Sequence, residues 1–241
     1  MNHPRAPRNL SCTQVVSFDA VEILFALDPM RQRLSDLGLS EEALELFFAR
    51  LLRNGFALDA SGTFKPFVEV ARATLGGMLA ANDIAIEDGR IDHALAGFGE
   101  LPAHPDVAPA LRLVREAGVP IVVLTNGSAD NTRRLLEQAG LLEHVGRIIS
   151  IDEVRHWKPR REVYLHAADV AGVPPGQLAL VAAHAWDIHG ASQAGLITGW
   201  VSRLEKRFDP SMNPPDATGD TLVSVCRKLL EPSDSPSPMT G

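Results

Sequence analysis

Five short apolar segments are spaced along the chain and predict five buried strands. They read QVVSFDA, VPIVVLTN, GRIISID, LALVAAH and ITGWVSR and begin at residues 14, 119, 146, 178 and 197. Helix-like stretches that close on Gly separate the second to fifth segments, and Gly is a common helix stop. Strands that alternate with helices predict right-handed crossovers and a parallel sheet covered on both faces, which is an α/β fold.

The segment between the first and second strands has a purely helical pattern. SEEALELFFARLLRNGF begins with Ser40, which suits an N-cap, and carries apolar residues at three- and four-residue spacing; KPFVEVARATLGGMLAAN continues in the same way. We predict a core formed by residues 13–27 and 102–230 and a helical cap formed by residues 28–101. Because ligands of parallel sheets bind outside the carboxyl ends of the strands, this cap is expected to cover the binding site as a lid.

Both ends of the chain, residues 1–12 and 231–241, are predicted to be disordered. The tail EPSDSPSPMTG is rich in Pro and Ser and lacks apolar anchors, and the start MNHPRAPRNLSC has no apolar run of the secretory kind. No apolar stretch approaches the roughly 20 residues that cross a bilayer. The two cysteines, Cys12 and Cys226, suit reduced thiols. These features indicate a soluble, cytoplasmic protein.

The charge pattern restricts the partners that we expect. The formal net charge is -7, and acidic and basic residues are interspersed, whereas a nucleic-acid surface needs a basic stripe. An anionic small molecule would need a local basic pocket. Because there is no His/Cys cluster and no Gly-rich fingerprint after a strand, we expect no metal, flavin or nicotinamide cofactor.

Polar side chains follow the predicted strands where these end. Asp19 ends the first apolar run, Thr125 and Asn126 end the second, Asp187 follows the fourth, and Lys158 precedes a proline that tolerates a helix start. Since parallel strands share one carboxyl edge, we expect these residues to lie close together. Taken singly, each has an ordinary alternative, namely a turn Asp, a TNGS turn, a helix-capping Asp or a solvated Lys.

The order of these residues resembles the haloacid dehalogenase superfamily of hydrolases, and most closely its 2-haloacid dehalogenase (type II) branch. The resemblance rests on LTNGS, WKPRREVY and AAHAWDIHGASQAG and extends from about Val15 to Leu230. It implies a Rossmann-like parallel sheet core with a helical cap inserted after the first strand. It also implies a small-molecule carboxylate substrate and allows a homodimer formed through the helical insert.

The resemblance assigns a catalytic role to three residues. Asp19 would be the nucleophile and form a covalent ester, which splits one difficult displacement into two easier steps. Lys158 would keep Asp19 ionised and bind the anion of the substrate. Asp187, with Lys158, would orient or deprotonate the water that cleaves the ester.

The same resemblance places Ala20, Thr125, Asn126 and His184 at the substrate. For His184 a hydrogen-bonded structural role is an equal alternative. A cap arginine such as Arg50 or Arg53 would be a further anion or halide contact, although solvated helix residues are the favoured interpretation of both.

The residues around Asp19 also bear on the leaving group. Phosphatase relatives carry a second Asp two residues after the nucleophile, and here that position is Val21, which cannot donate a proton. Asp187 is a single carboxylate where magnesium-dependent relatives tend to show a pair. Halide needs neither acid nor metal to leave. We therefore predict hydrolysis of the carbon–halogen bond of a short 2-haloacid, with inversion at C2 and an ester on Asp19.

Three positions depart from the family pattern. Ile23 stands where the family usually places a Thr, whose hydroxyl would contribute about 1 kcal/mol through a hydrogen bond. Ala182 and His184 replace polar residues of the fourth motif. Two alternatives therefore stay open: a phosphatase-like hydrolase of a small phosphate ester, and a non-catalytic binding protein that is stabilised by ligand without turnover. The role of Glu22 is open as well.

Overall fold

One parallel sheet forms the centre of the protein in the computed structural model, which describes residues 10–85 and 88–231. Its strands are β1 (Val15–Phe18), β2 (Ile121–Thr125), β3 (Arg147–Ser150), β4 (Leu178–Ala182), β5 (Ile197–Val201) and β6 (Ala217–Gly219). Their order across the sheet is β3-β2-β1-β4-β5-β6, and all neighbouring pairs are parallel. The five predicted strands are confirmed. β6 was not predicted, because its three residues, ATG, contain no apolar run.

The helices of the described residues pack on both faces of the sheet and above its carboxyl edge. They are α1 (Met30–Ser35), α2 (Ala43–Ala60), α3 (Phe67–Ala80), α4 (Asp88–Ala96), α5 (Val107–Glu116), α6 (Ala129–Gln138), α7 (Arg161–Ala171), α8 (Ala185–Ala194) and α9 (Leu222–Leu230). The first five lie between β1 and β2, and α1 to α4 fall within residues 28–101, where the helical pattern predicts the cap. Glu42, rather than the predicted Ser40, occupies the N-cap position of α2.

The sheet has a topological switch point between β1 and β4. From β1 the chain moves outward to β2 and β3, and it then returns to build β4, β5 and β6 on the other side. Phe18 pairs with Val123 of β2 and Val181 of β4, so Asp19 leaves the sheet between these two strands. Ligands of open α/β sheets bind in the crevice at such a point.

The ends of the described chain bear on the predicted disorder. Leu10–Cys12 form one turn of 3-10 helix instead of the predicted disordered segment. The rest of the predicted N-terminal segment and all of the predicted tail after residue 231 lie outside the described residues. No helix among residues 10–85 and 88–231 is long and apolar enough to span a membrane.

Candidate active site

A buried lysine joins two carboxylates at the carboxyl edge of the sheet. Lys158 Nζ donates to Asp19 Oδ1 at 2.8 Å, to Asp187 Oδ2 at 2.7 Å and to the carbonyl oxygen of Leu124 at 3.2 Å. Lys158 and Asp187 are fully buried, and Asp19 is 7% exposed. The fold thus brings together three residues that lie far apart in the sequence. The three protons of the ammonium are all used within the protein, so Lys158 has no spare donor for the substrate.

Burial and mutual attraction set the protonation of this group. Burial by itself would lower the pKa of Lys158, but the charges of Asp187 and Asp19 outweigh it, and the pKa of Lys158 is raised. Burial raises the pKa of Asp187, and the attraction of Lys158 opposes that rise. A base is most effective when its pKa lies close to the working pH, so a raised pKa suits Asp187 to accept a proton from water.

Tyr164 completes the surroundings of Asp187. Its hydroxyl donates to Asp187 Oδ1 at 2.6 Å, and burial raises the pKa of Tyr164 well above its ordinary value, so it stays a neutral donor. Sequence reasoning missed this residue. The available signal was weak: Tyr164 is the single tyrosine of the chain and lies in α7, six residues after Lys158.

A small pocket of about 20 Å³ lies in front of Asp19. Its walls are formed by Asp19, Val21, Phe48, Leu52, Phe67, Thr125, Asn126, Gly127, His184 and Trp186. This space holds about one water-sized group, so the cap is closed over the carboxylate. The described part of the cap contributes apolar side chains alone, from Phe48, Leu52 and Phe67, and such a wall excludes water from the site.

The predicted substrate-binding residues occupy different positions. Thr125 and Asn126 line the pocket; Thr125 Oγ1 accepts from the Gly127 amide at 2.9 Å, and Asn126 Oδ1 accepts from the Lys158 amide at 3.1 Å. Ala20 does not line this pocket. It lines, with Thr125, a neighbouring cavity of about 580 Å³. The TNGS turn is therefore fixed against the segment that carries Lys158.

The predicted cap arginines do not reach the pocket. Arg53 donates to Asn54 Oδ1 and lines an adjoining cavity of about 700 Å³, and Arg50 is not among the described residues of the pocket wall. Ile23, at the position where the family usually has Thr, is fully buried in the apolar core and does not line the pocket. Val21 does line it, so an apolar side chain stands where phosphatase relatives place an acid.

His184 also lines the pocket and is held by two acidic residues that sequence reasoning did not connect with it. Its Nε2 lies 2.6 Å from Glu22 Oε2, and its Nδ1 lies 3.6 Å from Glu205 Oε1. Glu22 thereby acquires a partner. Glu205 follows β5 in a segment without a recognisable motif, so no sequence signal indicated it.

The segment that carries Lys158 is fastened to the cap. Asp59, buried at the end of α2, accepts from the Trp157 amide at 3.2 Å and lies 2.9 Å from His156 Nδ1. The Trp157 indole donates to the carbonyl oxygen of Lys65 at 2.9 Å, and its ring stacks on Phe67. The position of Lys158 therefore depends on cap packing next to it.

Replacing Gly55 by alanine tests this dependence. A Cβ atom at Gly55 would lie 2.6 Å from the Trp157 ring, so Gly55→Ala is expected to displace the ring and to destabilise the fold by about 1–3 kcal/mol. It should also lower turnover by displacing Lys158. Gly77→Ala in α3 is the matched control: its Cβ meets open space, and helix propensity favours it by about 0.5–1 kcal/mol. The free energy of unfolding in denaturant and the turnover rate are measured for both variants. If Gly55→Ala and Gly77→Ala change these two quantities equally, the position of Lys158 does not depend on cap packing.

Comparison with known proteins agrees with this architecture. A family model for haloacid dehalogenase-like hydrolases matches residues 39–195, which is more than half of the chain, and the protein therefore belongs to that family. Similar proteins indicate the 2-haloacid dehalogenase branch of this family. (S)-2-haloacid dehalogenase H-109 of Pseudomonas putida is 30% identical over 197 residues, which cover 82% of this chain and 85% of the relative. (S)-2-haloacid dehalogenase 1 of Pseudomonas sp. strain CBS-3 is 29% identical, with 80% and 85% covered.

A solved structure shares the fold. The L-2-haloacid dehalogenase of Xanthobacter autotrophicus, solved with chloropropionic acid covalently bound, superposes with a TM-score of 0.83 at 22% identity. The match covers 89% of this chain and 97% of that chain. At this identity the likeness supports the fold: an α/β sheet with helices inserted after its first strand.

Proposed function

We propose that the protein hydrolyses the carbon–halogen bond of a short 2-haloacid through an ester on Asp19. The observation that carries the proposal is the buried Lys158 ammonium, shared between Asp19 and Asp187 at the switch point of the sheet. One carboxylate thereby faces the pocket while it is paired with a cation, and the second lies within reach of the same cation. The relatives named as (S)-2-haloacid dehalogenases support this reaction.

The first step is a displacement at C2. Lys158 holds Asp19 Oδ1, so Oδ2 is the oxygen that we propose to attack. A bond forms between Oδ2 and C2 while the carbon–halogen bond breaks, and its electron pair leaves with the halide. No proton moves in this step, which is compatible with Val21 in the pocket wall.

The second step is hydrolysis of the ester. Water attacks the carboxyl carbon of Asp19, and Asp187 accepts the proton, held in position by Lys158 and Tyr164. The bond between the carboxyl carbon and the ester oxygen breaks, Asp187 returns its proton to the departing alkoxide oxygen, and the second proton of the water leaves Asp19 for the solvent. The products are a 2-hydroxy acid with inverted C2 and a regenerated Asp19, which carries one oxygen from water. Backbone amides of the Thr125–Ser128 turn other than that of Gly127, which donates to Thr125 Oγ1, are the proposed donors to the carboxylate of the substrate.

Halide release from a panel of small acids tests the activity. We expect chloride from 2-chloropropionate and bromide from 2-bromopropionate, measured by ion chromatography, and a preference for one enantiomer, with a product of opposite configuration on chiral chromatography. A phosphate ester that turns over with magnesium while no haloacid does would instead favour the phosphatase alternative. A rise in melting temperature with haloacid but no halide release would favour the non-catalytic alternative.

Two further expectations concern the environment of the protein. The cytoplasmic location, without a nucleic-acid or membrane partner, stays a prediction from the sequence. A homodimer through the cap also stays a prediction; Leu46 on α2 and Val68 on α3 are 48% and 61% exposed and are apolar groups that such a contact could cover. Light scattering of the purified chain measures the oligomeric state.

A further inference from the structure

Three side chains outside the Lys158 group meet beside the pocket of Asp19. They come from three loops at the carboxyl edge: Glu22 follows β1, His184 follows β4 and Glu205 follows β5. His184 Nε2 lies 2.6 Å from Glu22, and the side chains of this pair are 15% and 14% exposed. Glu205 lies 3.6 Å from the other ring nitrogen and also accepts from the Ala185 amide at 3.2 Å. The histidine ring is thus held from both sides.

The backbone at Glu22 is strained. Its φ of 68° lies in the left-handed region, which glycine adopts freely but which is strained for other residues. This conformation closes a tight turn in which the Glu22 amide donates to the carbonyl oxygen of Phe25 at 2.7 Å. Such strain persists where the surroundings hold the residue, and it concentrates at functional sites. Here the contact with His184 is the feature that holds the side chain.

The ring of His184 carries a positive charge. Burial would lower the pKa of His184, but its contacts with Glu205 and Glu22, together with the charge of Asp19, raise it to about 10. The cavity of about 700 Å³ that also contacts the ring is lined by further charged groups, namely Asp28, Arg31, Glu45 and Arg53. Arg31 and Glu45 pair with each other. At neutral pH the ring is therefore an imidazolium.

This positive charge faces the nucleophile, and its two negative partners do not. His184 lines the pocket with Asp19, whereas Glu22 and Glu205 line neighbouring cavities. Among the described side chains that line this pocket, His184 is the single basic one. Lys158 uses its three donors within the protein. A negative charge that develops in the pocket therefore meets the positive ring of His184 in the pocket wall.

We propose that His184 is a catalytic residue whose positive ring faces the halide as it leaves C2, and that Glu22 and Glu205 are positioning residues that hold the ring there. This inference rests on the proposed dehalogenase function and adds to it the group that stabilises the leaving halide. As the carbon–halogen bond breaks and its electron pair moves to the halogen, the fixed positive charge stabilises the new anion without a proton transfer.

The geometry favours the halide over the carboxylate of the substrate as the anion at His184. Both ring nitrogens are engaged with Glu22 and Glu205, and a carboxylate requires directed N–H donors, which the TNGS turn can supply. A halide is satisfied by charge and by the positive edges of aromatic rings. Trp186 stacks on His184 with ring centroids 5.6 Å apart, and the Phe48 ring lies at 6.2 Å.

Replacing His184 by asparagine tests the proposal through the leaving group. Asparagine is planar and polar but uncharged, so the single-turnover rate of chloride release from 2-chloropropionate is expected to fall by roughly 10- to 100-fold. Bromide leaves more readily and needs less assistance, so its release should fall less, and the bromide-to-chloride rate ratio should rise several-fold over the unmodified protein. His166→Asn is the matched control. It removes a histidine of α7 that lies outside the pocket and pairs with Glu153 at 3.1 Å.

Replacing Glu22 by glutamine tests the positioning role through pH. Glutamine keeps a partner for Nε2 but removes one negative charge, so the pKa of His184 should fall below about 10. A step that needs the charged ring is intact below this pKa and is lost as the pH rises through it. The alkaline limit of halide release should therefore move to lower pH in Glu22→Gln and stay unchanged in His166→Asn.

The outcomes separate the two proposals. If the unmodified protein releases no halide from any substrate, the dehalogenase function and this inference both fail. If it releases halide while His184→Asn slows chloride and bromide equally, or behaves like His166→Asn, the role of His184 is wrong and the function stands. Should His184→Asn not fold, as judged by circular dichroism, the pH profile of Glu22→Gln decides by itself, and an unshifted alkaline limit overturns the proposal.

Discussion

Replacing Asp19 by asparagine is expected to stop halide release, with a loss of about a thousandfold or more, as for other removed nucleophiles. An amide is a poor nucleophile, whereas its oxygen can still accept the hydrogen bond that Lys158 donates to Oδ1 at 2.8 Å. The fold should therefore survive, since Lys158 stays paired with Asp187 at 2.7 Å. Ion chromatography measures the halide, and thermal unfolding measures the fold. Asp169→Asn, on an exposed position of α7, is the matched control.

Isotope labelling tests the same residue in the unmodified protein. In a single turnover in ¹⁸O water, water attacks the carboxyl carbon, so one labelled oxygen should remain in Asp19. Mass spectrometry of the peptide that contains Asp19 locates the label. Label in the hydroxy acid with none in Asp19 would mean that water attacks C2 directly, which would remove the role of Asp19 as nucleophile while keeping the overall reaction.

The second large effect is expected for Lys158→Met. Removing the ammonium leaves Asp19 and Asp187 buried without their cation, which destabilises folded proteins by about 3–5 kcal/mol. Turnover should be lost as well, because the ammonium that holds both Asp19 and Asp187 in position is removed. Lys65→Met is the matched control, because Lys65 and Glu69 form an exposed pair that contributes at most about 1 kcal/mol.

The loss of stability in Lys158→Met is expected to depend on pH in one direction. Without Lys158, the pKa of Asp187, which burial already raises, should rise further. A carboxyl whose pKa is raised by folding favours the native state while it is protonated, and this contribution is lost as the pH rises through the folded pKa. The stability deficit of Lys158→Met should therefore narrow towards acid pH. A deficit that is constant from pH 4 to 8 would contradict an electrostatic cause.

A double variant separates folding from catalysis at Lys158. Adding Asp187→Asn to Lys158→Met removes one of the two unpaired charges, and Tyr164 can still donate to the amide oxygen. We expect the double variant to regain part of the lost stability but none of the activity, because it lacks both the cation and the base. Denaturant unfolding and halide release, measured on the same samples, distinguish these effects.

The limits of sequence reasoning appear at particular elements. The five longer strands are predicted because buried parallel strands are continuous apolar runs, as in β1 and β4, where each residue is buried. β6 escapes prediction because its pairing with β5, and not its composition, makes it a strand. The start of α2 is predicted less well: the helix begins at Ala43, its N-cap is Glu42 instead of Ser40, and helix ends vary by one or two residues.

In the site, too, the residues in local motifs were predicted and the residues that depend on contacts between distant segments were not. The sequence predicts that five residues lie together because their motifs stand at strand ends and helix starts, which a parallel sheet brings to one edge. They are Asp19, Thr125, Asn126, Lys158 and Asp187. Tyr164 and Glu205 were missed, because their contacts with Asp187 and His184 cross between elements and leave no local pattern. Arg50 and Arg53 were considered as anion contacts because they are basic residues of the cap, but neither is among the described residues that line the pocket.

By itself, therefore, the sequence determined the α/β class, the inserted helical cap and the carboxylates and lysine at the sheet edge, because these depend on hydrophobic periodicity and local motifs. Only the tertiary structure decided how these groups are paired. It placed Ile23 in the core, bound Glu22 to His184 and used the three protons of Lys158 within the protein. The physical reason is that burial and charge pairing depend on distances between segments more than 100 residues apart, which no local pattern encodes.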